Sequence, residues 1–364
     1  MMNNRDFNKF FYVWISLLGE SRYKTLRFLI EEYGCVEHIA AIKSREDFTQ
    51  ALAASEKLAE NILDPDKKKE AQHICCEAAR LGMNIVTLGD EEYPEYLSQI
   101  YAPPLVLYYY GALPPMGSQA VAVVGSRGAS GYGRNVAYNL SKDLASAGIT
   151  IVSGMARGID SCAHKGALAA GTPTVAVLGC GADYIYPPEN KELYHKITDC
   201  GAVISEFYPG TMPQKQFFPA RNRIIAGLCA GTLVVEARSS SGALITTDSA
   251  LRENRTVYAI PGNINSELSL GTNKLIQKGA VCVTCAKDIL DDLGVDTKPG
   301  VISKIDGLDK NQIAVCLAIL SNAQSVEEVC AATSLDVATV LGTVTQLKIN
   351  GIIEGVGFGN YVVK

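Results

Sequence analysis

The stretch Ala120–Gly133, AVAVVGSRGASGYG, reads as a buried strand that breaks into a glycine turn and then opens a helix. An apolar run without polar alternation fits a strand covered on both faces, as in a parallel sheet. Downstream the pattern repeats. The strand-like runs are ITIVSG from Ile149, PTVAVLG from Pro173, AVISE from Ala202, TLVVEA from Thr232 and TVYAIPG from Thr256. Helical patterns separate them over Gly133–Ala147, Asp160–Ala170, Glu189–Thr198 and Ala243–Glu253, with one more following Phe217. Strands alternating with amphipathic helices predict an α/β domain with a doubly wound, mostly parallel sheet. Such a sheet binds its ligand at the carboxyl ends of the strands, where the glycine turns fall.

Four turns lie on that edge: Gly125–Gly133, Ser153–Asp160, Leu178–Asn190 and Ser239–Thr247. Glycines let the backbone approach closely, and free N–H groups at helix starts attract anions. Arg127 and Arg157 sit inside two of the turns, and Gly125, Ser126, Ser130 and Thr246 are further candidates for contact with a polyanion. The run Phe217–Leu228, FFPARNRIIAGL, adds rings and guanidinium groups. From Phe207 to Val235 there is no acidic residue, while Lys215, Arg221 and Arg223 lie within. Rings stack on bases and cations pair with phosphates, so this combination suits a single-stranded nucleic acid. The same run can also be an ordinary helix start with Pro219 in its first turn and arginines in structural ion pairs.

No dinucleotide or P-loop signature is present. The first turn is not G-x-G-x-x-G, no acidic residue ends a second strand, and G-x-x-x-x-G-K-[ST] does not occur. His38, His73, His164 and His195 have no metal-ligand spacing, and His164 reads as a packing residue. Cys282 and Cys285 have redox spacing but fall in AVCVTCA, which reads as a strand with alternate thiols. Glu206, Glu236 and Asp183 could serve as acids or bases, yet each can equally cap a loop, and no activated nucleophile stands near them. Neither a catalytic residue, a cofactor nor a metal is expected.

At 364 residues the chain predicts two or three domains. A helical domain is expected over 1–80, with Ser21 as an N-cap. The sheet domain follows over 81–295, its core at 118–295, then a polar linker at 296–307 and a last domain at 308–364. In the first domain a helical hairpin interrupted at Gly19 lacks the G-x-G turn of DNA-binding hairpins, so a scaffolding or interaction role is expected. PPLVLYYY, from Pro103, fits an edge strand, and ALPPMGSQ a linker into the core. Three helices and two glycine-flanked strands at the C-terminus make a winged-helix pattern. Its third helix offers Asp336, Thr339, Thr343, Thr345, Gln346 and Lys348, a poor cationic surface, which favours a protein or regulatory contact. A formal charge of −5 argues against a globally basic DNA binder, so any nucleic-acid site must be a local patch. Eleven scattered cysteines and the lack of a long apolar run or signal-peptide pattern suggest a cytoplasmic chain with reduced thiols and no membrane segment.

The motifs GSRGASGYG, SGMARGID, LGCGADYIYPPEN, ISEFYPG, FFPARNRIIAGL, VVEARSSSGALITT, YAIPGN and GTNKLIQKGA occur in the order of the DNA-processing protein A (DprA/Smf) family, which the chain resembles over roughly 81–293. The resemblance implies an extended Rossmann-like domain that binds single-stranded DNA and forms a homodimer through that domain. It also implies a recombination mediator that protects incoming DNA and loads RecA recombinase during natural transformation. On this basis Arg127 and Lys215 would hold phosphates and Phe218 would stack on a base. Arg221, Asn222, Arg223, Asn273 and Lys274 would line or brace the groove. One departure is TMPQKQFF, where family members carry several basic residues and this chain has Lys215 between glutamines. The competing reading is a nucleotide-processing hydrolase of the phosphoribohydrolase, lysine-decarboxylase-like type. Its P-G-G-x-G-T turn is replaced here by PGNINSELSLGTN. A dinucleotide-dependent oxidoreductase would need the missing fingerprint.

Overall fold

The computed structural model describes residues 4–19, 22–239, 241–295, 308–320, 325–333, 335–350, 352–357 and 360–363. Ser21 and the expected linker 296–307 lie outside the described residues. The chain divides into two compact units, Met1–Leu293 and Gly294–Lys364.

The first unit begins with helices α1 (Asn4–Ser16), α2 (Arg22–Tyr33), α3 (Val36–Ala40), α4 (Gln50–Ala53), α5 (Glu56–Leu63) and α6 (Pro65–Arg80). Helix α6 starts as its sequence dictates. Asp64 accepts from the Asp66 amide at 2.9 Å, and Pro65 occupies the position where an amide hydrogen would go unused. These helices do not close a core of their own. Phe11, Trp14, Leu18 and Leu29 pack in one cluster with Met83, Leu105, Val106 and Tyr108 of the following segment.

That segment opens the sheet with β1 (Asn84–Thr87), α7 (Glu95–Ser98) and β2 (Val106–Gly111). The repeating part continues through β3 (Gly117–Val124), α8 (Gly131–Ser146), β4 (Thr150–Ser153), α9 (Ile159–Ala169), β5 (Thr174–Val177) and α10 (Lys191–Cys200). It is completed by β6 (Ala202–Ser205), α11 (Phe217–Gly227), β7 (Cys229–Val234), α12 (Ala243–Arg252), β8 (Thr256–Ala259), α13 (Leu270–Gln277), β9 (Val281–Cys282) and α14 (Ala286–Asp292). Nine strands form one sheet in the order β1-β2-β6-β5-β4-β3-β7-β8-β9. Strands β3 to β9 are mutually parallel, β2 pairs antiparallel with β6, and β1 pairs antiparallel with β2. The expected α/β, doubly wound, mostly parallel sheet is therefore the fold. Residues Val121–Val123, Ile151–Val152 and Val175–Val177 are fully buried, as strands covered on both faces require.

Two expectations need correction. PPLVLYYY is not an edge strand, because β2 pairs with β1 on one side and with β6 on the other. Both prolines precede the strand, so Val106–Gly111 keeps its amides for pairing. AVCVTCA yields only the two-residue β9, and Cys285 instead caps α14, with Asp288 accepting from the Cys285 amide at 3.1 Å.

In the second unit, α15 (Lys310–Leu320), α16 (Val326–Thr333), α17 (Val337–Ile349), β10 (Ile353–Gly357) and β11 (Asn360–Val363) surround a core of Val315, Ile319, Val340, Val344 and Leu347. Strands β10 and β11 pair antiparallel. Thr343, expected on the open face of α17, is buried, whereas Val337, Leu341 and Ile349 are exposed.

Candidate nucleic-acid interface

From β3 the chain adds β4, β5 and β6 on one side and then returns to place β7 on the other. This reversal leaves a crevice beyond the carboxyl ends of β3 and β7, the place where an open α/β sheet takes its ligand. A cavity of about 730 Å³ occupies it, lined among others by Ser126, Arg127, Lys215, Phe218, Asn222 and Thr246. Gly125 forms part of its wall, and the Arg221 guanidinium and Asp160 part of its floor.

Glycine chemistry brings the turns together. Gly158 has φ +77°, and a Cβ there would overlap the Ser126 carbonyl oxygen. With glycine present, the Ile159 amide donates to Ser126 O at 3.3 Å and locks the second turn against the first.

The rim of the cavity is aromatic and cationic. Phe218, in the first turn of α11, is half-buried, and the Arg127 guanidinium carbon lies 5.2 Å from its ring centroid. Tyr186 stands 5.6 Å from Phe218, centroid to centroid, with the rings inclined at 39°. Arg127, Arg157, Tyr186 and Phe218 enclose a small recess beside the main cavity. Arg157 is exposed and paired with Glu189. Arg127 and Lys215 are exposed as well, and neither has an ion pair among the described residues.

Beneath the rim, buried polar groups fix the floor. Arg221 is 4% exposed; its Nη1 donates to Gly154 O at 3.0 Å and to Val177 O, and its Nε to Asn222 Oδ1 at 3.1 Å. One guanidinium thus ties the turns after β4 and β5 together. Asp160 accepts from the Gly154 and Ala156 amides at 3.2 and 3.3 Å. Burial raises the Asp160 carboxyl against the opposing pull of Arg221, and burial lowers Arg221 to about 10. Burial, reinforced by Arg221, also holds His164 at about 3. The Thr174 hydroxyl donates to Ile151 O, so it accepts from His164 Nδ1–H at 2.8 Å, and His164 Nε2 is left without a partner. Burial drives the nearby Cys180 thiol up to about 12, far from a thiolate nucleophile. These groups brace the site, with the His164 imidazole held neutral and the Cys180 thiol held protonated near neutral pH.

A family model for DNA recombination-mediator protein A matches residues 84–294. The chain belongs to that family. DNA processing protein DprA of Streptococcus pneumoniae is 48% identical over 201 residues, which span 55% of this chain and 71% of that protein. An X-ray structure of the Streptococcus pneumoniae DNA processing protein A superposes with a TM-score of 0.62 at 36% identity, covering 78% of this chain and 97% of that one. A structure describing the single-stranded DNA binding mode of DNA processing protein A from Helicobacter pylori gives a TM-score of 0.53 at 29% identity, covering 59% and 96%. The fold is thus the Rossmann-like α/β fold of DNA processing protein A.

Of the residues singled out from sequence, the crevice gathers Gly125, Ser126, Arg127, Lys215, Phe218, Arg221, Asn222 and Thr246, with Arg157 in the adjoining recess. Ser130 stands at the start of α8, held by Glu236. Three others do not line the crevice. Arg223 pairs with Glu206. Asn273 clamps Gly262, accepting from its amide at 3.1 Å and donating to its carbonyl at 2.9 Å. Lys274 is exposed on α13. Asp183 accepts from the Gly210 amide at 2.9 Å, so the three acids weighed as catalysts all hold neighbouring groups. Sequence reasoning passed over Tyr186 and Arg238. Both lie beyond the carboxyl ends of strands, Tyr186 nine residues past β5 and Arg238 four past β7, where a ring or a cation is the signal. Among the described residues no group of three His, Cys, Asp or Glu could hold a metal ion, and no helix is long and apolar enough to cross a membrane.

Proposed function

We propose that this chain binds single-stranded DNA in the β3/β7 crevice. The observation that carries the reading is that Arg127, Lys215, Phe218 and Tyr186 share one recessed rim. Arg127 and Lys215 would take backbone phosphates, and Phe218 with Tyr186 would stack on bases. Arg127, which lies over the Phe218 ring, would swing outward to a phosphate as a base replaces it. Paired strands keep their bases stacked inside a duplex and cannot use such rings, so single strands are preferred. The DNA binding described for the Helicobacter pylori relative points the same way.

Family membership extends the reading to recombination mediation: protection of incoming DNA and loading of RecA in natural transformation. It also extends to a homodimer through the Rossmann-like domain. Exposed Ile264 and Leu270, at 80% and 46%, support a contact surface on that domain. The hydrolase reading has no matching observation, because Asp160, the acid in the cavity lining, is tied by two amides in the floor. Fluorescence anisotropy with single-stranded and duplex probes of one sequence tests the core of the proposal. Single-strand preference that weakens with salt is expected; equal affinity for both probes would overturn it.

A further inference from the structure

In an open α/β sheet a nucleotide's phosphates settle at the strand-order reversal, on the amides that open the helix after the first strand. Here that helix is α8 and the reversal lies between β3 and β7. Glu236, two residues past the end of β7, is 4% exposed and reaches across this point. Its Oε2 accepts from the Ser130 amide at 2.9 Å, and its Oε1 from the Ser130 hydroxyl at 2.5 Å. Ser130 Oγ in turn accepts from the Gly133 amide at 3.0 Å. The Glu236 carbonyl takes the Ser126 amide at 2.8 Å. A Cβ at Gly133 would overlap the Glu236 carboxyl group, so glycine at this position makes room for a side chain of the protein itself. Glu236 has no ion pair among the described residues; its partners are Ser130 and the start of α8.

The carboxylate meets both Ser130 donors, one with each oxygen. Burying a carboxylate there is costly, and the positive end of a helix dipole is what offsets that cost. We infer that Glu236 is a resident anion in the phosphate seat of the sheet, and that it makes the crevice refuse free nucleotides. A diphosphate entering to the depth usual for this fold would meet a fixed negative charge and find the Ser130 and Gly133 amides already bonded. A DNA strand held farther out, at exposed Arg127 and Lys215, avoids that charge. This inference rests on the proposed reading of the crevice as a single-stranded DNA site and assigns its selectivity to one residue.

The test compares the full-length protein with Glu236→Ala and the near-isosteric Glu236→Gln, each checked for folding by circular dichroism. Inorganic pyrophosphate and ADP are titrated by calorimetry, and a labelled oligothymidine by anisotropy. Wild type should bind the oligonucleotide and neither small anion. A folded Glu236 variant should bind pyrophosphate at least about tenfold more tightly than wild type, with matching thermal stabilisation. A merely structural role would not produce that gain. Should Glu236→Ala fail to fold, Glu236→Gln carries the comparison, and its failure to gain pyrophosphate binding overturns the inference. Wild type binding pyrophosphate or ADP as tightly as the variants overturns it too, while leaving the DNA reading intact. Gained pyrophosphate binding together with no oligonucleotide binding by wild type would sustain the resident anion and sink the DNA site.

Discussion

Replacing Lys215 with Ala should flatten the salt dependence of single-stranded DNA binding by about 0.7 in log affinity per log salt. The value follows from which cations are left to meet a phosphate. Arg157 is tied to Glu189, Arg223 to Glu206, Arg238 to Glu267, and Arg221 to the carbonyls of Gly154 and Val177. Arg127 and Lys215 are exposed and have no ion pair among the described residues. Two phosphate contacts per protomer give a slope of about −1.4, so affinity falls roughly sevenfold between about 50 and 200 mM salt. With either cation removed, the fall should be roughly threefold. Anisotropy of a labelled oligothymidine across a salt series measures each slope. Arg223→Ala is the control and should leave the slope unchanged. If Lys215→Ala and Arg127→Ala keep the wild-type slope, or Arg223→Ala flattens it equally, the assignment of phosphate contacts is wrong.

Phe218→Ala should weaken oligonucleotide binding by about 1–3 kcal/mol through lost stacking while leaving the salt slope alone; a changed slope would mean that the ring acts by orienting Arg127. Arg221→Met leaves Asp160 buried without its counter-charge and should cost about 3–5 kcal/mol in urea unfolding, so a loss below about 1 kcal/mol would deny the floor its brace. His164 titrates near 3 in the fold against 6.5 ordinarily, so it stays neutral while the unfolded chain takes up a proton. Stability should therefore fall as pH drops from about 6.5 toward 3, by up to about 1.4 kcal/mol per unit, and His164→Gln should lessen that slope. Urea midpoints for both proteins between about pH 7 and pH 4 give the comparison, and identical slopes would contradict the neutral buried imidazole.

The parallel core was legible because burial on both faces leaves unbroken apolar runs such as AVAVV, and because glycine turns mark strand ends. Helix α12, expected over Ala243–Glu253, spans Ala243–Arg252, and α9, expected over Asp160–Ala170, spans Ile159–Ala169. The neighbours of β2 were hidden, since two prolines look the same whether they interrupt a strand or precede it. The arginines of FFPARNRII were equally opaque. Arg221 and Arg223 are two positions apart, which turns them about 200° from one another around a helix. One therefore points under the crevice and the other toward Glu206, and only the placement of α11 decides which. Glu236 was visible as a candidate acid, but its partner Ser130 lies 106 residues away in sequence, beyond the reach of any local pattern.

The pairing of β2 with β6 also bears on how the chain can be made. Tyr108 meets Ser205 across that ladder, and Tyr108 is equally part of the cluster built on Trp14. During synthesis the leading helices must wait for nearly a hundred further residues before the strand beneath them gains its second neighbour. A protease cut after Arg80 should accordingly yield a nicked particle whose pieces travel together until denaturant is added.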